Sequence, residues 1–174
     1  MAVTIVTTIG GAVSNSYATE AEFKTYCEEL FPRADAYFDA EPDDLARALA
    51  AAARELNRKQ WHGARVNATQ ALAWPRYGAA KADGVGYGYG LGYGESCDCY
   101  ASDEIPLPVK HAQMELALAF LRSDYDPNQS ERVTSLSADG VSVRKEFNGA
   151  MGELPPIVLR LLTGLLRSAE VERA

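Results

Sequence analysis

The sequence predicts a mainly α protein: a small bundle of about four helices with a short N-terminal strand, a late β-hairpin and a long Gly/Tyr-rich loop. Three observations carry this expectation. Apolar residues recur at helical spacing in four segments, each opened by a capping residue or a proline. The stretch from Met114 to Leu121 is apolar almost all round, broken only by Glu115, as in a helix surrounded by others. Asp139-Gly140, set between VTSLSA and VSVRKEF, is a dipeptide favoured in two-residue hairpin turns, where both residues need positive φ. With 174 residues, 47% of them hydrophobic, the chain suits one domain with a sizeable core.

Residues 3–8 (VTIVTT) are all β-branched and precede Gly10-Gly11, which predicts a short strand and a turn. Thr19 with Glu22 three residues later fits a capping box, so the first helix starts there. Phe23, Tyr26, Cys27, Leu30 and Phe31 form its apolar stripe, and Pro32 ends it. The second helix opens at Pro42, with Asp43 and Asp44 at the positive end of its dipole, and runs to about Gln60. Leu45, Leu49, Ala52 and Leu56 face the core, while Arg47, Arg54 and Arg58 lie off that stripe, with Lys59 near the end. The segments around Trp61 and from Gln70 to Arg76 form a structured connection, because Pro75 holds Trp74 extended and both tryptophans are large enough to anchor it. Ile105-Pro106-Leu107-Pro108 opens a third helix reaching about Tyr125, and Pro155-Pro156 introduces a last helix over about 155–168. The helical core therefore spans about 17–125 and the hairpin about 132–147, within a single domain over 1–174.

Residues 77–101 (YGAAKADGVGYGYGLGYGESCDCYA) have no apolar periodicity, and the run is longer than a compact domain needs. Its glycines alternate, with no strand before them and no helix after, so it is not a dinucleotide-binding loop. The chain contains no nucleophile elbow, phosphate-binding loop, zinc-protease pair or calcium loop. Asp43-Asp44 and Asp124-x-Asp126 suit helix ends, and neither His62 nor His111 has metal-ligand spacing. The expectation is a protein that is not an enzyme, with no catalytic residues, no cofactor and no metal. Cys97 and Cys99 are one residue apart and no second pair exists, so these and Cys27 are expected to be free thiols. No run approaches the roughly 18 apolar residues of a membrane span. The N-terminus lacks the basic region of a signal peptide, so the protein is expected to be cytosolic when synthesised, with no membrane contact.

A net charge of −7 is unfavourable for general binding to nucleic-acid phosphates, which depends on Lys and Arg replacing counterions. A local basic face is still open to the chain. Arg47, Arg54, Arg58, Lys59 and Arg65 could form a phosphate track, with Tyr87, Tyr89 and Tyr93 as stacking platforms for a single strand. Within the Gly/Tyr-rich run only Lys81 is basic, so this reading ranks second.

The leading reading comes from a resemblance. Asn15-Ser16-Tyr17 precedes the first helix, Trp61-x-Gly63 follows the second, and Gln70-Ala-Leu-Ala-Trp74-Pro75-Arg76 comes next. Ile105-Pro106, leading into a helix with Glu115-Leu-Ala-Leu118, completes the order. Over residues 13–122 the chain resembles small proteins of phage head genes often labelled DnaT-like single-stranded-DNA-binding proteins. It is similar in layout to the head-to-tail adaptors, or connectors, of tailed phages. The resemblance implies a structural virion protein that assembles as a ring, most commonly a dodecamer, beneath the portal protein. Such a ring extends the DNA channel, lets double-stranded DNA pass without sequence-specific binding, and docks a tail-side stopper or tail terminator protein. Its location is then the virion neck, after assembly from the host cytoplasm. The candidate partner surfaces are the loop (Tyr87, Tyr89, Tyr93), the hairpin turn (Asp139, Gly140) and the last helix (Ile157, Leu161, Leu162, Leu165, Leu166).

Overall fold

The computed structural model describes residues 3–30, 32–81, 98–125, 136–138, 141–143 and 154–167. It is mainly helical, with five helices and two small antiparallel ribbons among these residues. Helix α1 (Glu20–Glu29) begins at the Thr19 capping box: the Thr19 hydroxyl accepts the Glu22 N–H at 3.1 Å, and the Glu22 carboxylate accepts the Thr19 N–H at 2.7 Å. A single turn, α2 (Asp35–Phe38), follows; it is too short to leave a periodic signal in the sequence. The edge-to-face contact of Tyr37 with Phe23, centroids 5.0 Å apart, ties it to α1.

Helix α3 (Pro42–Asn57) encloses Leu49, Ala52, Ala53 and Leu56 completely. It stops short of Gln60 because the Arg58 and Lys59 N–H groups tighten onto the Glu55 and Leu56 carbonyls. Helix α4 (Leu107–Leu121) is the central element and packs on α1, α2 and α3. It ends before Tyr125 because Ser123 takes φ 57° and the Asp124 N–H turns back to the Ala119 carbonyl.

A wholly buried amide joins these helices. Gln113 on α4 accepts the Tyr17 and Ala18 N–H groups at 2.8 and 3.1 Å, and donates to the Ser16 hydroxyl at 2.7 Å and the Leu49 carbonyl at 2.9 Å. Every polar site on its side chain is thereby partnered, as burial requires. The Asn15-Ser16-Tyr17 motif therefore works as a clasp between α3 and α4.

The expected N-terminal strand over 3–8 does not form. The Val6 N–H is held by the Asn15 side chain at 2.8 Å, and the Val6 carbonyl accepts the Asn15 N–H at 3.0 Å. The segment closes into a loop on its own sequel, so its β-branched residues have no neighbouring ladder to join.

After α3 the chain makes a short ribbon, β1 (Ala64–Arg65) with β2 (Arg76–Tyr77), in the register Ala64↔Tyr77 and Arg65↔Arg76. The late hairpin consists of β3 (Leu136–Ala138) and β4 (Val141–Val143), paired Leu136↔Val143 and Ala138↔Val141. Its turn positions Asp139 and Gly140 lie outside the described residues.

The last helix, α5 (Pro156–Leu161), is shorter than the predicted 155–168. Gly164 takes φ 80°, and the backbone beyond it is recruited elsewhere: the His62 N–H bonds the Leu165 carbonyl at 2.9 Å, the Arg167 N–H bonds the Gln60 carbonyl at 3.0 Å, and Trp61 and Leu166 bridge. α5 also packs on α4. Val158, Leu162 and Leu165 belong to the core, with Ile157, Leu161 and Leu166 half-buried against it. This apolar surface, expected to meet a partner, is largely spent inside the chain. Cys27 is free, and burial pushes its thiol up to about 12. Cys99, in contrast to the expectation of free thiols, is disulfide-bonded. Ala80 and Cys99 form an isolated antiparallel bridge.

Candidate nucleic-acid interface

Arg76 is the centre of the site. Only 9% exposed, it spends its guanidinium on backbone carbonyls: Nε donates to His62 at 2.6 Å, Nη1 to Ala73 at 3.0 Å, and Nη2 to Gly63 at 2.6 Å and Trp61 at 3.4 Å. Four of its five N–H donors are thus used. The carbonyls satisfy hydrogen bonding without neutralising the charge.

The surrounding loop is rigid because the core holds it from several sides. Trp61 and Trp74 meet edge to face at 5.7 Å, and the Trp61 indole N–H bonds the Leu56 carbonyl at the end of α3. The Gln70 amide donates to the Leu72 and Pro75 carbonyls, and the Tyr17 hydroxyl accepts the Ala73 N–H. Gly63 sits at φ 73°, where a Cβ would come within 2.5 Å of the Tyr77 carbonyl oxygen, so only glycine lets the two strands close. The residues from Gln70 to Arg76 that looked like a family motif are these fastenings.

Around Arg76 the cations converge. A cleft of about 260 Å³ is lined by Lys59, Arg65, Arg76 and Arg167, together with Asn57 and Gln60. Burial, then repulsion from Arg65 and Arg167, holds the Arg76 guanidinium below its ordinary pKa, although an arginine remains charged at any physiological pH. A second cleft, of about 510 Å³, shares Asn57 and runs along the outer face of α3 past Arg47 and Arg54. Asn57 lines both clefts, with Arg54 along the second and Arg65, Arg76 and Arg167 around the first.

Ion pairing divides the basic residues named from the sequence. Arg47 is engaged by Asp44 at 2.7 Å and Asp43 at 3.4 Å, while Arg58 and Lys59 share Glu55 at 3.1 and 3.2 Å. Among the described residues, Arg54, Arg65, Arg76 and Arg167 have no acidic partner. The path is therefore built on Arg54 and Arg65, as the sequence suggested, and on Arg76 and Arg167, which it did not. No local pattern marks those two: Arg76 is an isolated arginine in an apolar neighbourhood, and Arg167 stands where an apolar run gives way to a charged tail.

Between α1 and α4 a groove of about 340 Å³ is edged by Glu22 and Lys110, which pair with each other, and by Glu29 and His111. Tyr87, Tyr89, Tyr93, Asp139 and Gly140 lie outside the described residues. No group of His, Cys, Asp and Glu among the described residues could hold a metal ion, and no described helix is long and apolar enough to cross a membrane.

A family model described as "Putative DnaT-like ssDNA binding protein" matches residues 1–174. The chain belongs to this family. No curated protein and no solved structure matches it. The resemblance to a phage head-to-tail adaptor is corrected by this match: the DnaT-like family accounts for the whole chain, and nothing in the comparisons indicates an adaptor. The dodecameric ring, the portal and tail partners and the virion location rested on that resemblance, and they lose their basis with it. The physical reason is that the shared residues, Ser16-Tyr17 and Gln70 to Arg76, are internal clasps, which speak of a common fold and not of what the surface meets.

Proposed function

We propose that this protein binds single-stranded DNA along the cationic path between Arg54 and Arg167. The observation that carries the reading is the cluster of Arg65, Arg76 and Arg167, without acidic partners among the described residues, in a chain of net charge −7. Uncompensated like charges repel one another, so gathering them has an energetic cost that an anionic ligand offsets. The DnaT-like family description supports the same reading.

Each residue has a distinct part. Arg65 and Arg167 are exposed and can turn their guanidinium forks to phosphate oxygens in bidentate fashion. Arg54 extends the track along α3. Arg76, with its donors committed to carbonyls, contributes a fixed positive potential and holds the ribbon in place. The helical bundle is the scaffold for this edge, and the acidic remainder of the surface repels DNA from other approaches.

Anisotropy titration of a labelled oligothymidylate at about 50 mM and about 200 mM salt tests the reading. Binding that weakens steeply with salt, and is largely removed by the double charge reversal Arg65→Glu/Arg167→Glu, is the expected result. Absence of binding at the lower salt, or binding indifferent to the reversal, overturns it.

A further inference from the structure

The β1–β2 ribbon has a second face. Cross-strand partners in an antiparallel pair share a side, so Ala64 and Tyr77 lie opposite to Arg65 and Arg76. Tyr77 is 73% exposed, and Val66, two positions after Ala64, is 47% exposed. The backbone that carries Tyr77 is held in place. Its neighbour Arg76 is tied to four carbonyls, Gly63 packs against the Tyr77 carbonyl, and Gly78 follows at φ 69°. A large aromatic ring presented to solvent from a fixed backbone loses little freedom when a flat partner settles on it.

We propose that Tyr77 is a stacking platform for an unpaired nucleobase whose phosphates run over Arg65 and Arg167. This rests on the nucleic-acid reading above and adds what that reading lacks, a reason for the bound strand to be single. The ribbon is one edge with cations on one side and an aromatic ring on the other. Its complement is a polyanion that also offers exposed π-faces. A duplex keeps its base faces stacked on each other, and an acidic peptide supplies charge without such faces. A single strand supplies both, and stacking on tyrosine accepts any base.

The test compares oligothymidylate with an abasic strand of the same length and charge, on the wild-type protein and on Tyr77→Ala, Tyr77→Trp and Arg65→Glu/Arg167→Glu. Wild type should prefer the strand that carries bases. Tyr77→Ala should weaken oligothymidylate binding roughly 5- to 150-fold, leave abasic binding and the salt dependence unchanged, and be rescued by Tyr77→Trp. Because Tyr77 is exposed, its truncation leaves the core intact. Equal wild-type affinity for the two strands, or an unchanged Tyr77→Ala variant alongside a weakened arginine reversal, overturns the platform while sparing the cationic path. Binding of neither strand by the wild type overturns both.

Discussion

Arg76 and Glu115 are buried to a similar degree, 9% and 4% exposed, and the chain deals with the two charges in opposite ways. Glu115, on α4, meets the Arg33 guanidinium at 3.2 Å and accepts the Tyr26 hydroxyl at 2.9 Å, so a counter-charge stands beside it. Burial, followed by this bond to Glu115, pushes the Tyr26 hydroxyl well above its ordinary range. Among the described residues, Arg76 has only carbonyl partners, and the charged side chains that act on it, Arg65 and Arg167, are cations. Both groups are satisfied as hydrogen-bonding partners. Of the two, only the arginine lacks a counter-charge among the described residues, and the difference separates a structural ion pair from a candidate binding site.

Four experiments break or sharpen this contrast. The largest effect is expected from Arg76→Met, which strips partners from four carbonyls at once. We expect a loss on the order of 4 kcal/mol of stability in urea unfolding, because each buried group left unpaired costs about 1–3 kcal/mol and relaxation recovers part. A cost below about 1 kcal/mol would show that water replaces the guanidinium easily.

Next is Arg65→Ala/Arg167→Ala, which removes two exposed cations and leaves the fold alone. Losing two phosphate contacts should weaken single-strand binding about 25-fold near 0.1 M salt and reduce the log–log salt slope by about 1.4. Unfolding midpoints equal to wild type would assign that loss to charge, not to damage.

Glu115→Gln should cost about 1–2 kcal/mol, since the pair becomes neutral on one side while Arg33, 57% exposed, returns to water. It should also bring the Tyr26 pKa down, read by ultraviolet titration, and leave DNA affinity untouched. Any change in affinity would connect the two regions.

The smallest effect concerns acid. Burial raises the Glu22 carboxyl, but Lys110 and the Thr19 N–H and hydroxyl together outweigh it and hold the group below its usual 4.5. A carboxylate depressed in the folded state stabilises above its unfolded pKa, and that contribution is lost as pH falls through the lower folded value. Glu22→Gln should therefore flatten stability below about pH 4.5. The amount is under about 1 kcal/mol, because the pair is partly exposed. An unaltered acid limb would show that other carboxylates govern it.

Much of the fold was legible because its signals are local. The capping box at Thr19, the proline openings of α3, α4 and α5, the all-round apolar α4 and the ribbon around positions 139–140 each depend on residues a few places apart. Two of the failures share one cause. Val3–Thr8 had strand propensity but found Asn15 in place of a neighbouring strand, and α5 gave up its last turns when the backbone near Leu165 was claimed by His62. In both cases a distant hydrogen-bond partner outweighed local preference.

The cationic site divides the same way. By itself the sequence determined which residues could carry positive charge, and it named Arg54 and Arg65 among them. The averaged charge of −7 told against a phosphate site, because net charge carries no information on where charges gather. The pairs that engage Arg47, Arg58 and Lys59 are three or four residues apart and so are local too, whereas tertiary structure alone decided that Arg76 would be buried with no acid beside it among the described residues. It also carried Arg167 back from the far end of the described chain, through one backbone bond to Gln60, to stand beside Arg65. A field is a sum over positions in space, and only the folded chain supplies those positions.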